Sequence, residues 1–290
     1  MFEQFFQAVI DYPNIDPVWF TIPLPFVDAD LPIRWYSLSY IVGIFGCWWY
    51  MTRIIQRPGA PLARRHADDI VFWITIGVIA GGRIGSILFY NPERYFGPDG
   101  NLADMLKLWE GGMSFHGGLI GVTIAMSWYA WKEKLQLLRI WDYVACTVPI
   151  AICLVRLANF INGELWGRPT DVPWAMVFPT GGDVPRHPSQ LYESFLEGVV
   201  LFAILWWLFW KTDARYYPGR LAGTFALGYG VFRFGVEFVR TPDANLGFLA
   251  LGLTMGQWLS LPLVIGGLYL IATSAGRRHR VAPIAGSAAQ

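Results

Sequence analysis

The sequence predicts an all-α polytopic membrane protein with seven transmembrane helices, a small periplasmic loop domain and an N-terminal interfacial helix. Three observations carry this. Hydrophobic residues make up 54% of the 290-residue chain and charged residues only 15%, against about 25% charged in soluble domains. The apolar residues gather into windows of about 20, the length that crosses a bilayer core of roughly 30 Å. The loops between these windows carry Lys and Arg unequally, as membrane loops do. A net charge of +1 leaves no basic field for nucleic acid and no acidic tail. The expected division is an N-terminal segment 1–32, a membrane domain 33–272 and a tail 273–290.

In chain order, Phe2, Phe5, Phe6, Val9 and Ile10 repeat at helical spacing beside Glu3, Gln4 and Gln7, which predicts an amphipathic helix lying on the outer surface. It reads as an anchor, with a substrate gate as the alternative. Glu3 in place of a basic leader argues against a cleavable signal peptide. Seven windows follow, at 33–52, 70–90, 113–131, 141–161, 190–210, 221–239 and 254–272, with kinks expected at Pro149 and Pro262. The outer loops near 91–112 and 162–189 are long and rich in Gly and Pro, which suits a small external domain. Internal repeats of the kind seen in inverted-repeat transporters are not evident.

One set of loops holds thirteen basic residues, among them Arg53, Arg57, Arg64, Arg65, Lys132, Lys134, Arg139, Arg277 and Arg278, and the other set holds six. The positive-inside rule therefore puts the N-terminus outside and the C-terminus in the cytoplasm. Three basic residues remain within the windows: Arg83, Arg156 and Arg233. Each costs about 2.5–3.5 kcal/mol at mid-membrane, so each needs a carboxylate, a wet cavity or an anionic ligand. At about 1.5 Å per residue all three lie roughly 8–11 Å below the outer surface.

Tyr36, His116, Asn159, Asn162, Glu193, Glu197, Tyr229 and Glu237 fall in the same layer. Two readings stand. The charges form an ion-pair lattice, with Glu193, Glu197 and Glu237 matching the arginines and Arg233–Glu237 an i, i+4 pair. Alternatively, the guanidinium groups bind the phosphodiester of an anionic phospholipid bidentately. Helices associate without charge through small residues such as Gly81, Gly82, Gly85, Gly117, Gly118 and Gly121, which favours the second reading. Of four histidines, His66 in a cytoplasmic loop and His279 in the tail read as solvated, leaving His116 and His187 on the outer side. His116, amid glycines, is either a proton acceptor near neutral pH or a hydrogen-bonding group at the start of a helix. Cys47, Cys146 and Cys153 sit in apolar windows without CxxC or His spacing, so they read as small hydrophobes, and neither a metal nor another cofactor is expected.

The segment Arg156-Leu157-Ala158-Asn159-Phe160-Ile161-Asn162-Gly163-Glu164-Leu165-Trp166-Gly167-Arg168 resembles the signature of bacterial prolipoprotein diacylglyceryl transferases, and His116-Gly117-Gly118-Leu119-Ile120-Gly121 resembles a second motif of that family. Arg34-Trp35-Tyr36, Gly81-Gly82-Arg83-Ile84-Gly85, Arg186-His187-Pro188-Ser189-Gln190-Leu191-Tyr192-Glu193 and Gly228-Tyr229 through Arg233 and Glu237 match in order. Val155 stands where relatives carry Gly, a change that bears on local helix packing.

The resemblance implies transfer of the diacylglyceryl group of phosphatidylglycerol to the lipobox cysteine thiol of a prolipoprotein, with release of glycerol-1-phosphate, in the bacterial inner membrane and by a protein expected to be monomeric. It implies catalytic roles for His116, Arg156, Arg233, Tyr36 and Asn159. The implied substrate-binding group is Arg156, Arg233, Glu164, Gly167, Tyr229, Glu237, Arg83 and His187. Of these, Gly167 reads as a backbone requirement and Arg83 as serving either packing or lipid access. Of the two competing classes, a transporter or flippase would carry charge through the inner leaflet as well, which Arg83, Arg156 and Arg233 do not, and a membrane scaffold would not need a polar cluster at one depth.

Overall fold

The computed structural model describes residues 10–24, 29–90, 92–97, 101–107, 112–242 and 247–278. The expected interfacial helix, apart from Ile10, lies outside these residues, as do His279 and most of the expected tail. The described chain is mostly helical: α1 (Trp35–Ile54), α2 (Arg64–Phe89), α3 (Pro92–Phe96), α4 (Phe115–Lys132), α5 (Leu137–Ile161), α6 (Ser189–Glu193), α7 (Leu201–Lys211), α8 (Arg220–Val236) and α9 (Met255–Thr273). A π-helical segment, Ser194–Val200, joins α6 to α7, so that Ser189–Lys211 is one helical run. Among the described residues, four helices are long and apolar enough to cross a membrane: Arg64–Phe89, Leu137–Ile161, Ser189–Lys211 and Met255–Arg277. α1, α4 and α8, of 20, 18 and 17 residues, occupy the other three windows. Both Pro149 and Pro262 are accommodated inside continuous helices.

A two-stranded antiparallel sheet precedes α1, pairing β1 (Val18–Leu24) with β2 (Ala29–Arg34). The window reading assigned Ile33 and Arg34 to the first helix, whereas both belong to β2. Phe20 opposes Ile33 and Ile22 opposes Leu31 on one face, while Thr21 opposes Pro32 on the other.

The chain divides into two compact units. In the unit Thr52–Ile140, α2 and α4 pack backbone to backbone. A Cβ on Gly117 would stand 2.7 Å from the Gly85 Cα, one on Gly121 2.8 Å from the Gly81 Cα, and one on Gly77 2.8 Å from the Gly121 carbonyl oxygen. Only glycine permits this approach, because every fourth residue of each helix faces the other. His66, expected to be solvated, is 2% exposed. It sits in the first turn of α2, where its Nδ1 accepts the Ala63 N–H at 3.0 Å and so satisfies a donor the helix start leaves open.

The second unit comprises Met1–Met51 and Trp141–Arg280. Here α8 and α9 approach through Gly223 against the Gly267 carbonyl and Gly230 against the Ser260 carbonyl. Asp142 of α5, fully buried, accepts the N–H groups of Gly219 at 2.7 Å and Ala222 at 2.9 Å. Those are orphan donors at the start of α8, and the helix dipole there favours the carboxylate.

Candidate active site

Arg156, Arg233 and Arg240 converge on Glu193, the last residue of α6. Arg156 Nε lies 3.0 Å from Glu193 Oε2, Arg240 Nη1 donates to Oε1 at 3.0 Å, and Arg233 Nη1 donates to the same oxygen. Arg233 Nη2 reaches Glu237 Oε1 at 2.5 Å, the i, i+4 pair expected from spacing. Glu197 is more loosely held, with Arg156 Nη2 3.9 Å away and neither carboxylate oxygen hydrogen-bonded among the described residues. Glu193 and Glu197 are fully buried, and Glu237 is 3% exposed.

Local sequence explains why these groups meet. A Cβ on Gly198 would lie 2.6 Å from the Cys153 Cβ, and Ser194 Oγ donates to the Cys153 carbonyl at 3.1 Å. Two small residues thus let the π-helical segment press against α5 one turn from Arg156. The wider π turn also keeps Glu193 and Glu197 toward the same neighbours, a geometry found at functional sites. Glu237 is fixed from α9: its Oε2 accepts Thr254 Oγ1 at 2.6 Å, and Thr254 is the N-cap of that helix in a capping box with Gln257. A Cβ on Gly256 would meet the Glu237 Cδ at 2.6 Å, so glycine makes the room.

The signature segment leaves α5 through a strained turn, with Gly163 at φ +64° and Leu165 at φ +59°. For a leucine that conformation costs of order 1–3 kcal/mol, and hydrogen bonds hold it: Ser189 Oγ donates to the Leu165 carbonyl at 3.0 Å and Gln190 Nε2 to the Glu164 carbonyl at 2.5 Å. Asn159 and Asn162 both donate to Glu164 Oε1, at 2.8 and 3.1 Å. Asn159 is 3% exposed, and its Oδ1 has no partner among the described residues. Tyr36 is paired with Tyr40 through their hydroxyls at 3.3 Å and lies within electrostatic reach of Arg156 and Glu164. Tyr229, stacked on Phe225 with ring centroids 5.8 Å apart, lies within the same reach of Arg156, Arg233 and Glu197.

Gly167 is a point of backbone contact, where a Cβ would stand 2.6 Å from both the His187 Cβ and the Val239 carbonyl oxygen. His187 Nδ1 lies 3.2 Å from the Tyr192 hydroxyl, which also accepts Trp174 Nε1 at 2.5 Å. Burial pushes the His187 imidazole below its ordinary range, so the neutral ring is favoured.

In the other unit, Arg83 is 5% exposed. It donates to the carbonyl oxygens of Asp104 at 2.6 Å, Met105 at 2.8 Å, Lys107 at 3.2 Å and Gly112 at 3.4 Å. Its guanidinium thereby gathers the carbonyls around the 3-10 helix Leu102–Leu106 and the approach to α4. His116 stands in the first turn of α4, behind the N-cap Ser114, whose Oγ accepts the Gly117 N–H at 3.1 Å. Its Nδ1 is 3.5 Å from the Tyr90 hydroxyl.

The structure therefore joins Arg156, Arg233 and Glu237 in one lattice, groups Asn159 with Glu164, and places Tyr36 and Tyr229 within reach of it. Sequence reading took Glu193 only as a counter-ion and counted Arg240 among the loop charges. The signal for Arg240 was present: 233, 237 and 240 follow the 4 + 3 spacing of one helix face. Gln190 and Thr254 carried no comparable signal, because their partners are main-chain atoms or residues far along the chain.

Apolar helices of spanning length carrying a buried lattice of arginines and glutamates define a multi-pass membrane protein with an ionic site. Residues 24–273 match the family described as prolipoprotein diacylglyceryl transferase, and the chain belongs to that family. It is 53% identical over 245 residues to the phosphatidylglycerol–prolipoprotein diacylglyceryl transferase of Zymomonas mobilis, covering 84% of this chain and 85% of that protein. Relatives of the same name from Erythrobacter litoralis and Vibrio vulnificus are each 49% identical, over 93% and 94% of this chain and 92% and 96% of their own lengths.

Proposed function

We propose that this chain transfers the diacylglyceryl group of phosphatidylglycerol to the thiol of the lipobox cysteine of prolipoproteins, the first step of bacterial lipoprotein maturation. Family membership supplies the reaction. The observation in the site that carries it is Arg156, whose Nε lies 3.0 Å from Glu193 Oε2 while its Nη2 stands 3.9 Å from Glu197 Oε2. A guanidinium anchored through Nε, with its terminal nitrogens not closely paired to a carboxylate, is suited to an anionic oxygen ligand.

In the reaction a C–S bond forms at the glyceryl carbon as its C–O bond to phosphate breaks, and glycerol-1-phosphate leaves with the bonding electrons. Arg156 and Arg233 hold the phosphate and stabilise the charge that grows on the departing oxygen. His116 takes the thiol proton, which a cysteine of ordinary pKa near 8.5 must lose to attack. Tyr36, Asn159, Glu164, Tyr229 and Glu237 orient the headgroup or the arginines. Gly167 and His187 shape the outer segment, and Arg83 organises the loop that leads to α4. No metal or cofactor enters this scheme.

Seven membrane spans follow if α1, α4 and α8 join the four long apolar helices. The loop charges then place the N-terminus in the periplasm and the C-terminus in the cytoplasm of the inner membrane. Residues 1–32 form the periplasmic N-terminal segment, 33–272 the catalytic domain and 273–290 the tail, in a monomer. Incubating the purified protein with phosphatidylglycerol vesicles and a lipobox peptide tests the reaction. Mass measurement is expected to find one diacylglyceryl group on the peptide cysteine, and its absence with folded protein overturns the assignment.

A further inference from the structure

We infer that Glu193 is a positioning residue for departure of the phosphate: one carboxylate sets the separation and orientation of the two arginines that hold the leaving group. The inference rests on the functional reading above. The three guanidinium groups come from three places, Arg156 on α5, Arg233 on α8 and Arg240 just beyond it, and all engage the two oxygens of Glu193. The carboxylate side chain is 0% exposed, while those of Arg156 and Arg233 are 18% and 15% exposed. Glu193 therefore lies behind the arginines, and their remaining surface faces accessible space.

The engagement is also selective by atom. Arg156 meets Glu193 through Nε, which leaves Nη1 and Nη2 as a fork, and Nη2 is 3.9 Å from the nearest other carboxylate, that of Glu197. Arg233 commits both terminal nitrogens, Nη1 to Glu193 and Nη2 to Glu237, and so is fixed from two sides. A single buried anchor common to both sets their mutual geometry in a way that independent carboxylates would not. Glu193 itself is immobilised: the next residue, Ser194, is hydrogen-bonded to Cys153 of α5, and the residues before it, Ser189 and Gln190, are tied to the carbonyls of Leu165 and Glu164.

Charge alone attracts a phosphate, whereas stabilising its departure requires donors already aimed at the oxygen where charge develops. Loss of Glu193 therefore acts on turnover more than on lipid affinity, since the guanidinium charges remain. The test is steady-state transfer by full-length Glu193→Gln and Glu193→Asp enzymes, varying phosphatidylglycerol and lipobox peptide separately, with thermal unfolding of each variant. We expect Glu193→Gln to lose about 100-fold or more in kcat, with KM for phosphatidylglycerol within about threefold of wild type. Glu193→Asp, which restores the charge with a shorter reach, recovers at least a tenth of wild-type kcat.

Folded Glu193→Gln enzyme with kcat within threefold of wild type overturns the inference, as does a loss confined to KM for the lipid. Failure of both variants to fold also overturns it, by marking Glu193 as a folding residue. Wild-type enzyme that forms no adduct overturns the functional reading and this inference together, whereas active wild type with an unimpaired Glu193→Gln overturns this inference alone.

Discussion

Arg168 closes the end of α8 by donating from Nη2 to the Glu237 carbonyl oxygen at 3.1 Å and from Nε to the Arg240 carbonyl at 2.9 Å. The Glu237 carbonyl is at the C-cap of α8, where acceptors lack helical partners and a cation is favoured, and the Arg240 carbonyl lies beyond the helix end. The last residue of the signature segment is in this way latched to Glu237, which pairs with Arg233, and to Arg240, which pairs with Glu193. Replacing Arg168 with Ala is expected to cost about 2–4 kcal/mol, from two charge-assisted hydrogen bonds, and to lower transfer in parallel. Arg168→Lys recovers part of the loss, because one ammonium cannot span both carbonyls. Thermal unfolding with transfer assays checks this, and an unchanged midpoint and rate in Arg168→Ala would refute the latch.

Arg233→Lys is expected to reduce kcat/KM by about 10- to 100-fold, the equivalent of one charged hydrogen bond. Lysine keeps the charge but cannot serve Glu193 and Glu237 through separate nitrogens, as Arg233 does. Near-normal transfer by Arg233→Lys would sink the bidentate reading.

Gly117→Leu should separate α2 from α4, since even a Cβ there stands 2.7 Å from the Gly85 Cα. Overpacking at a backbone contact costs about 1–3 kcal/mol or more. The readout is a lower unfolding midpoint and less folded protein recovered in detergent, whereas Gly266→Ala, where a Cβ has open space, is the matched control expected to change little.

Arg83→Met is expected to loosen residues 101–107 and 112–114, because the carbonyls of Asp104, Met105, Lys107 and Gly112 lose a common donor. Hydrogen exchange in those segments should rise at least tenfold. If exchange there is unaltered while phosphatidylglycerol binding falls, Arg83 serves lipid access and not loop order.

The segment around His187 should lose stability in mild acid. Burial holds the His187 imidazole below its ordinary value, so its folded pKa is depressed. As pH falls through about 6.5 the unfolded chain takes up a proton before the folded one does. The neutral-ring contribution is thus complete above that value and declines below it, with the Tyr192 hydroxyl as the neighbouring polar partner. In His187→Gln the unfolding midpoint should depend less on pH between 7.5 and 5.5, and an identical slope in variant and wild type would count against this assignment.

Much of the candidate site was legible because membrane burial makes each charge informative. Depth singled out Arg83, Arg156 and Arg233 alike, the family motifs separated Arg156 and Arg233 from Arg83, and spacing paired Glu237 with Arg233. Glu193 and Arg240 were visible as charges but not as a hub, since the contacts to Glu193 join residues 37 to 47 positions apart, and pattern reading works within one helix face. The β1–β2 hairpin was missed for a related reason: a window tuned to long apolar runs absorbed Ile33 and Arg34 into the following helix. His66 was misjudged because loop position was taken for exposure, whereas a side chain in the first helical turn can fold back onto the open N–H groups.

Composition and apolar periodicity determined by themselves that this is a helical membrane protein; of the glycines read as packing residues, Gly81, Gly85, Gly117 and Gly121 stand at the α2–α4 backbone contact, and Gly77 joins them there. Motifs in register placed it in its family. Only the tertiary structure decided how the charges are partnered: a guanidinium has five donors and a carboxylate two oxygens, so sequence admits many pairings. Packing through Gly198, Ser194 and Gly256 selects one of them, with Glu193 at its centre and Arg156 left with donors to spare.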